Sequence, residues 1–311
     1  TLTLQSADDS ADFTVNPGTS VDSGSVNVDG DLTQFNGIER IELDAQIPPN
    51  DNADILKVFG AGDRDTMTLR ADAGTNGGSI ETSFGPDVIF RNFLNHDDTI
   101  VTLNGLGGDD DINVHHDDSW AVATVNIVGG SPSASDAFVL MGDTGDEDFE
   151  YTPTASNAAT LDVAGATDTT SYVLQSVESA TVDGRSPTGA DELTVFGTED
   201  SADTITHRAG GAEDAGSFSF VNGTGTGLLG LTYLNVGADP QITVDGVDAD
   251  DNETDTFVYE GGDADDTLRV NYLGDVSLDG GPTIETQDAG NLVDEIVLRG
   301  LEGDDTFVVE E

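Results

Sequence analysis

No cysteine occurs in this 311-residue chain. Disulfides and thiolate metal sites are therefore excluded, and nothing about redox compartment follows from cysteine pairing. Lysine occurs once, at Lys57; Lys and Arg together number 9 against 62 Asp and Glu, a formal net charge of -53. No basic groove can be assembled from so few cations, so nucleic acid is excluded as a partner by simple repulsion. An anionic membrane surface is disfavoured for the same reason. No apolar run approaches the roughly 18 residues of a membrane span, and no membrane insertion is expected. Helical periodicity is absent as well: no stretch of eleven or more residues spaces its apolar positions by threes and fours. With 36% hydrophobic and 6% aromatic residues, the core must be thin.

What the chain does have is glycine, 38 positions of it, set among aspartates. The run from Gly300 to Val309, Gly-Leu-Glu-Gly-Asp-Asp-Thr-Phe-Val-Val, follows the alternating segment Asp294 to Leu298. It reads as strand, acidic turn, strand. The phrase recurs at Gly60, Gly105, Gly142 and Gly261, in a longer form at Gly197, and stretched between Gly246 and Phe257. Each copy is flanked by apolar residues at period two, the spacing of strands. Repetition of this kind predicts an all-β, elongated repeat protein, best packed as a parallel β-solenoid in which each turn needs few inward side chains. Tandem antiparallel β-sandwich modules are the alternative. Asn104-Gly105, Asp183-Gly184, Asn222-Gly223 and Asp245-Gly246 are the hairpin-type turns that alternative requires.

Taken in order, residues 1–52 form a partial first unit that ends at the break Ile47 to Asn52, with Pro48 and Pro49. Residues 53–189 form the first copy of a duplicated region and residues 190–311 a second copy, truncated at its C-terminal end. The duplication rests on three anchors. Ala53 to Gly60 matches Ala190 to Gly197, the Gly-Ser-apolar triplet at Gly78 matches that at Gly216, and Asn36 to Arg40 is answered from Gln175. The start at Thr1 reads as that of a processed or excised segment. Both ends fall out of phase with the repeat, which suggests copies joining head to tail, residues after Val309 completing a rung against Thr1 to Val15 of the next copy.

The acidic turns resemble the repeats-in-toxin calcium-binding motif, Gly-Gly-x-Gly-x-Asp-x-apolar-x. Gly300, Gly303, Asp305 and Phe307 sit on that pattern, as do Gly261, Gly262, Asp266 and Leu268, Gly60, Asp65 and Met67, and Gly105, Gly108, Asp110 and Ile112. The resemblance implies calcium held by carboxylates and turn carbonyls, a ligand set suited to a hard cation that takes six to eight oxygens. Asp63, Asp65, Asp109, Asp110, Asp146, Asp200, Asp203, Asp263, Asp265, Asp266, Asp304 and Asp305 are the residues it would assign to metal. Two departures stand beside the match. The family runs its nonapeptide in tandem whereas each copy here stands alone, and Glu147 replaces the Asp in the turn at Gly142. Read without the resemblance, these are acidic turns in which Gly supplies positive φ and Asp bonds its own backbone. The alternating strands and Gly/Asp turns more loosely resemble repeats of large bacterial surface and extracellular proteins.

Two physical readings of the acid remain, calcium binding and adaptation to high salt. An enzyme needs a positioned base, and basic residues are few: His115-His116 beside Asp117-Asp118 and Trp120 is the compact group. Adjacent residues of a strand face opposite ways, so one site could use only one of these histidines; the plainer expectation is two exposed loop histidines. Asn222-Gly223-Thr224 and Asn252-Glu253-Thr254 fit the glycan acceptor pattern. The sequence thus points to a non-enzymatic, extracellular or cell-surface structural segment of a fibre, matrix or adhesion protein. It would be held by divalent cations and would associate with itself, with other surface components or with glycans. A β-helical carbohydrate-active enzyme or a glycan-binding module is the second reading. His115, His207 or Arg208 facing a carboxylate pair would favour the enzyme, and Trp120, Tyr233 and Tyr272 gathered on one face would favour the glycan-binding module.

Overall fold

A computed structural model of the chain describes all residues except 7–9, 46–52, 73–75, 94–95, 118–119, 121, 131–134, 165–168, 186–190, 199–201, 213, 237–240, 247–253, 280, 289–290 and 311. The described residues form strands and turns and include no helix. The strands in chain order begin with β1 (Leu2–Gln5), β2 (Asp12–Pro17), β3 (Ser23–Val28), β4 (Asp31–Asn36), β5 (Arg40–Asp44) and β6 (Ile55–Phe59). Next come β7 (Thr66–Asp72), β8 (Gly77–Thr82), β9 (Asp87–Arg91), β10 (His96–Asn104), β11 (Asp111–His115), β12 (Val122–Val128) and β13 (Ala137–Met141). Then follow β14 (Asp148–Ala155), β15 (Ala158–Ala164), β16 (Thr169–Gln175), β17 (Ser179–Asp183), β18 (Glu192–Phe196), β19 (Thr204–Ala209), β20 (Gly216–Val221) and β21 (Gly227–Leu234). The last are β22 (Gln241–Asp245), β23 (Thr256–Glu260), β24 (Thr267–Val270), β25 (Val276–Leu278), β26 (Thr283–Glu285), β27 (Gln287–Asp288), β28 (Asn291–Leu292), β29 (Glu295–Arg299) and β30 (Thr306–Val309).

The chain separates into two compact units, Thr1–Met141 with Asp162–Ser179, and Gly142–Leu161 with Ala180–Glu311. In the first unit one sheet runs β1-β5-β9-β8-β7-β11-β13 and the other β16-β12-β10-β6-β2-β3-β4. Successive strands β10, β11, β12 and β13 alternate between the two sheets, and each pairs in parallel with the strand of the same sheet one rung away. Register is strict: Ile112 lies between Met67 and Phe138, and Leu103 between Val58 and Ile127. The period-two pattern sets it, because a slip by one residue would turn every apolar side chain outward. Thus Leu56 and Val58 of β6, Ile112 and Val114 of β11 and Phe138 and Leu140 of β13 are buried. The buried faces of the two sheets meet, with the rings of Phe138 (β13) and Tyr172 (β16) 6.2 Å apart.

The second unit repeats the plan, with β17-β21-β20-β19-β23-β29 in one sheet and β30-β24-β25-β26-β22-β18-β14 in the other. Tyr151 of β14 donates its hydroxyl to the Leu229 carbonyl of β21, 2.9 Å away, across its core. Two stretches of the chain share one connectivity. β5-β9-β8-β7-β11 and β17-β21-β20-β19-β23 have the same order and the same parallel and antiparallel pairings. Gly78 and Gly216 occupy matching strands and make room for an aromatic residue of the neighbouring strand. A Cβ on Gly78 would lie 2.8 Å from the Phe90 ring, and one on Gly216 2.5 Å from the Tyr233 hydroxyl.

Of the four hairpin-type dipeptides, only Asn222-Gly223 joins an antiparallel pair, β20 and β21. Asn104-Gly105, Asp183-Gly184 and Asp245-Gly246 lead from one sheet to the other. The expected pairing surface of residues 1–15 is also partly taken: β2 already pairs with β6 on one side and β3 on the other. The break at Ile47 to Asn52 lies outside the described residues.

Candidate functional site

The acidic turns, apart from the last one at Gly300, end two residues before the first inward apolar residue of the next strand. Since i and i+2 of a strand share a face, the residue there points into the protein: Asp65 ahead of Met67, Asp110 ahead of Ile112, Asp136 ahead of Phe138, Asp203 ahead of Ile205. All four aspartates are buried, as are Glu147, Asp191 and Asp255. Two sets of backbone N–H groups meet these carboxylates. The first belongs to the turn itself: the N–H groups of Ala61, Asp143 and Gly262 donate to Asp65, Glu147 and Asp266 at 2.6, 2.6 and 2.5 Å, and that of Thr198 donates to Asp203.

The second set links rungs. Asp65 N–H donates to Asp110 Oδ1 at 2.7 Å, Asp110 N–H to Asp136 Oδ1 at 2.8 Å, and Asp136 N–H to Glu178 Oε2 at 2.9 Å. In the second unit Glu147 N–H donates to Asp191 Oδ1 at 3.1 Å, Asp203 N–H to Asp255 Oδ1 at 2.7 Å, Asp255 N–H to Asp294 Oδ2 at 3.0 Å, and Asp266 N–H to Asp305 Oδ1 at 3.0 Å. A carboxylate ladder therefore runs beside the strand ladder. The turn glycine is part of it: a Cβ on Gly60 would stand 2.5 Å from the Gly105 carbonyl oxygen and 2.6 Å from Asp65 Oδ2. No side chain fits where the carboxylate and the next rung's carbonyl close in.

Burial has an electrostatic consequence. Desolvation raises the pKa of Asp65, opposed by the N–H groups of Ala61 and Gly62. Asp110 is pushed further, to about 6, again by burial first and then by Asp136, Asp65 and Asp109. The difference has a local cause: the Leu106 N–H turns to Asn104 Oδ1, and Asp110 Oδ2 is buried with no hydrogen-bond donor. Burial likewise raises Asp136.

The residues assigned to metal by the calcium resemblance thus divide into two rows. Asp65, Asp110, Asp203, Asp266 and Asp305 are ladder carboxylates bonded to backbone N–H groups. Asp63, Asp109, Asp146, Asp263, Asp265 and Asp304 are exposed on the turns, where Asp265 Oδ1 accepts the Asp304 N–H at 2.9 Å. Asp200 lies outside the described residues. Among the described residues no group of three or more His, Asp or Glu side chains is disposed to hold a metal ion. In the inner row at least one oxygen of each carboxylate accepts a backbone N–H.

The other candidates separate. His115 is half-buried at the end of β11, whereas His116 and Trp120 are buried; the expected pair of exposed loop histidines beside an aromatic is corrected. Parity explains it, since Ile112, Val114 and His116 alternate on one face. His116 Nδ1 lies 2.8 Å from the Tyr172 hydroxyl, and Trp120 Nε1–H donates to the Gly77 carbonyl at 2.8 Å. In β19 His207 is fully buried, 2.8 Å from the Tyr233 hydroxyl and in ring contact with Phe218 and Tyr259. Burial lowers its pKa to about 3. Its neighbour Arg208 faces outward and bonds Glu260 at 2.7 Å, which Arg299 also reaches at 3.2 Å. Burial raises the Glu260 pKa, but the two guanidiniums outweigh it and the net shift is downward. Of the three residues on which an enzyme reading rests, His207 is buried, His115 half-buried and Arg208 exposed. Trp120 and Tyr233 are buried and Tyr272 is 76% exposed, so these aromatics form no common platform. Asn222 sits at the β20–β21 hairpin, its Oδ1 accepting from the N–H groups of Thr224 and Thr226 at 3.2 and 3.0 Å; Asn252 lies outside the described residues. An open hollow of about 420 Å³ beside β2, β3 and β4 is lined by Ser25, Gln34, Phe35 and Asn36 among others.

No family model, curated protein or solved structure matches this chain.

Proposed function

We propose that the chain is a structural segment of an extracellular or cell-surface fibre, matrix or adhesion protein, a β-solenoid whose rungs serve as rigid spacers. The observation that carries the reading is the double fastening of the rungs, strand hydrogen bonds on one side and a buried carboxylate ladder beside them. Function in this reading is mechanical persistence and not turnover. The exposed row, Asp63, Asp109, Asp146, Asp263, Asp265 and Asp304, takes divalent cations such as calcium from solution as loosely held counterions. They relieve the self-repulsion of a chain at -53. Self-association and contact with other surface components follow from the same role.

Fractionating source cells and shaving their surface with protease, followed by immunodetection, tests it. The reading expects the protein outside the cell envelope or removed by shaving; recovery in the cytosolic fraction alone overturns it. A second reading, a glycan-binding module, draws on the polar hollow with the partly exposed Phe35 ring. Saturable glycan-array binding that is lost in Phe35→Ala would favour it.

A further inference from the structure

The β20–β21 hairpin carries a motif that neither the strand pairing nor the carboxylate ladder uses. Asn222-Gly223-Thr224 fits the acceptor pattern for an N-linked glycan, and the structure places it at the tip of that hairpin, directly after the last residue of β20. Asn222 is half-buried and residues 223–227 are exposed. Three donors converge on its side-chain oxygen: Oδ1 accepts the Thr224 N–H at 3.2 Å, the Thr224 hydroxyl at 2.7 Å and the Thr226 N–H at 3.0 Å. A side-chain NH2 cannot accept such bonds, so the donors fix which end of the amide is oxygen. The nitrogen is thereby turned away from the turn. Nδ2 has no hydrogen-bond partner among the described residues and is not buried. The tip also has room for a large group: a Cβ on Gly225 would meet nothing within 4 Å, and one on Gly227 only the Phe220 carbonyl oxygen at 4.0 Å.

Turn closure alone does not account for the motif. In the matching hairpin of the first unit, β8 to β9, Thr82 Oγ1 accepts the Gly85 N–H at 3.1 Å and no asparagine stands between the strands. An aspartate at position 222 would accept every bond that Asn222 Oδ1 accepts. What asparagine adds is the free amide nitrogen. We propose that Asn222 is a glycan attachment site, an inference that rests on the extracellular reading above, since the motif is modified on secreted chains. The co-substrate is a sugar held through C1 to a polyprenyl phosphate or diphosphate, and the catalyst is a transferase of the source cell. Nδ2 attacks C1; the N–C1 bond forms as the C1–O bond breaks, the phosphate group leaves with the bonding pair, and one amide proton passes to a base of the transferase. Thr224 is a positioning residue whose hydroxyl holds Oδ1 and leaves Nδ2 outward. The site lies clear of the rungs. β20 is held between β19 and β21 by antiparallel pairing, so a bulky group at the tip leaves the parallel strand pairs and the carboxylate ladder in place.

The test is peptide mapping by mass spectrometry of the protein recovered from its source cells, fractionated into cytosol, surface and medium. Wild type is compared with Asn222→Asp, Thr224→Ala and Thr224→Ser. Asn222→Asp keeps the acceptor that closes the turn and removes the nucleophilic nitrogen, so it separates loss of the modification from loss of the fold. The wild-type peptide containing Asn222 should carry the added mass of a sugar chain. Asn222→Asp and Thr224→Ala should lose that mass, and Thr224→Ser, which restores the hydroxyl, should keep it. An unmodified Asn222 in protein recovered from the surface or medium would overturn the inference and leave the extracellular reading standing, whereas unmodified protein confined to the cytosol would overturn both. Added mass that persists in Asn222→Asp, as from a sugar on the Thr224 hydroxyl, would also overturn the inference.

Discussion

At the scale of single residues, the informative position is the acid two residues ahead of the first inward apolar side chain. Asp110 has two separable duties there, accepting the Asp65 N–H and carrying a buried charge. Asp110→Asn keeps the first and removes the second; Asp110→Ala removes both. Urea unfolding should place Ala about 1–3 kcal/mol below Asn, the cost of orphaning a buried N–H. Equal midpoints for the two variants would show that the bond to Asp65 carries no stability. At Gly60 the expected loss for Gly60→Ala is about 1–3 kcal/mol, because the new methyl meets a carbonyl oxygen and a carboxylate, not the end of a flexible side chain. An unchanged midpoint would contradict the close approach. Much of this was legible in the sequence by parity. Asp65, Met67 and Leu69 alternate on one face, as do Asp203, Ile205 and His207, so burial of the acid and of the histidine follows from the same count that identifies the strand. The partners were not legible, since the residue that accepts the Asp65 N–H lies 45 positions away and is fixed only when β7 and β11 pair.

At the scale of strands and turns, alternation between two sheets explains why a thin core suffices: each rung buries a few side chains from each side. The repeated phrase and the matched anchors near residues 60 and 197 announced the rungs. The antiparallel insertions β7-β8-β9 and β19-β20-β21 were not announced, because a parallel and an antiparallel strand share the same period. Titration of the elements can be worked out with its sign. The folded-state pKa values of Asp65, Asp110 and Asp136 lie above their unfolded values, so their stabilising contribution is complete in acid and is lost as pH rises, for Asp110 across about 4 to 6. His207 acts oppositely. Its folded-state value of about 3 lies below the unfolded one, and its contribution, present above about 6.5, is lost as pH falls. Glu260, held down by Arg208 and Arg299, also loses its contribution in acid. Stability should therefore peak in mild acid, with His207→Phe flattening the acid limb. A monotonic gain from pH 4 to pH 8 in equilibrium unfolding would contradict this balance.

At the scale of the whole chain, a charge of -53 on 311 residues sets the terms on which any folded state survives. Screening by molar salt should raise the unfolding midpoint. Calcium acting as a counterion at the exposed row should do so without a sharp stoichiometric end point in calorimetric titration. A sharp end point would instead mean discrete sites and would return the calcium resemblance to the centre of the account. The most direct test of the carboxylate ladder is the unfolding midpoint of wild type and Asp110→Asn in chelator, at fixed ionic strength, from about pH 4 to about pH 7, which spans the loss at Asp110. The ladder predicts a wild-type midpoint that falls relative to that of the variant as pH rises across about 4 to 6. A difference between the two midpoints that stays constant with pH, or that moves the other way, would contradict it.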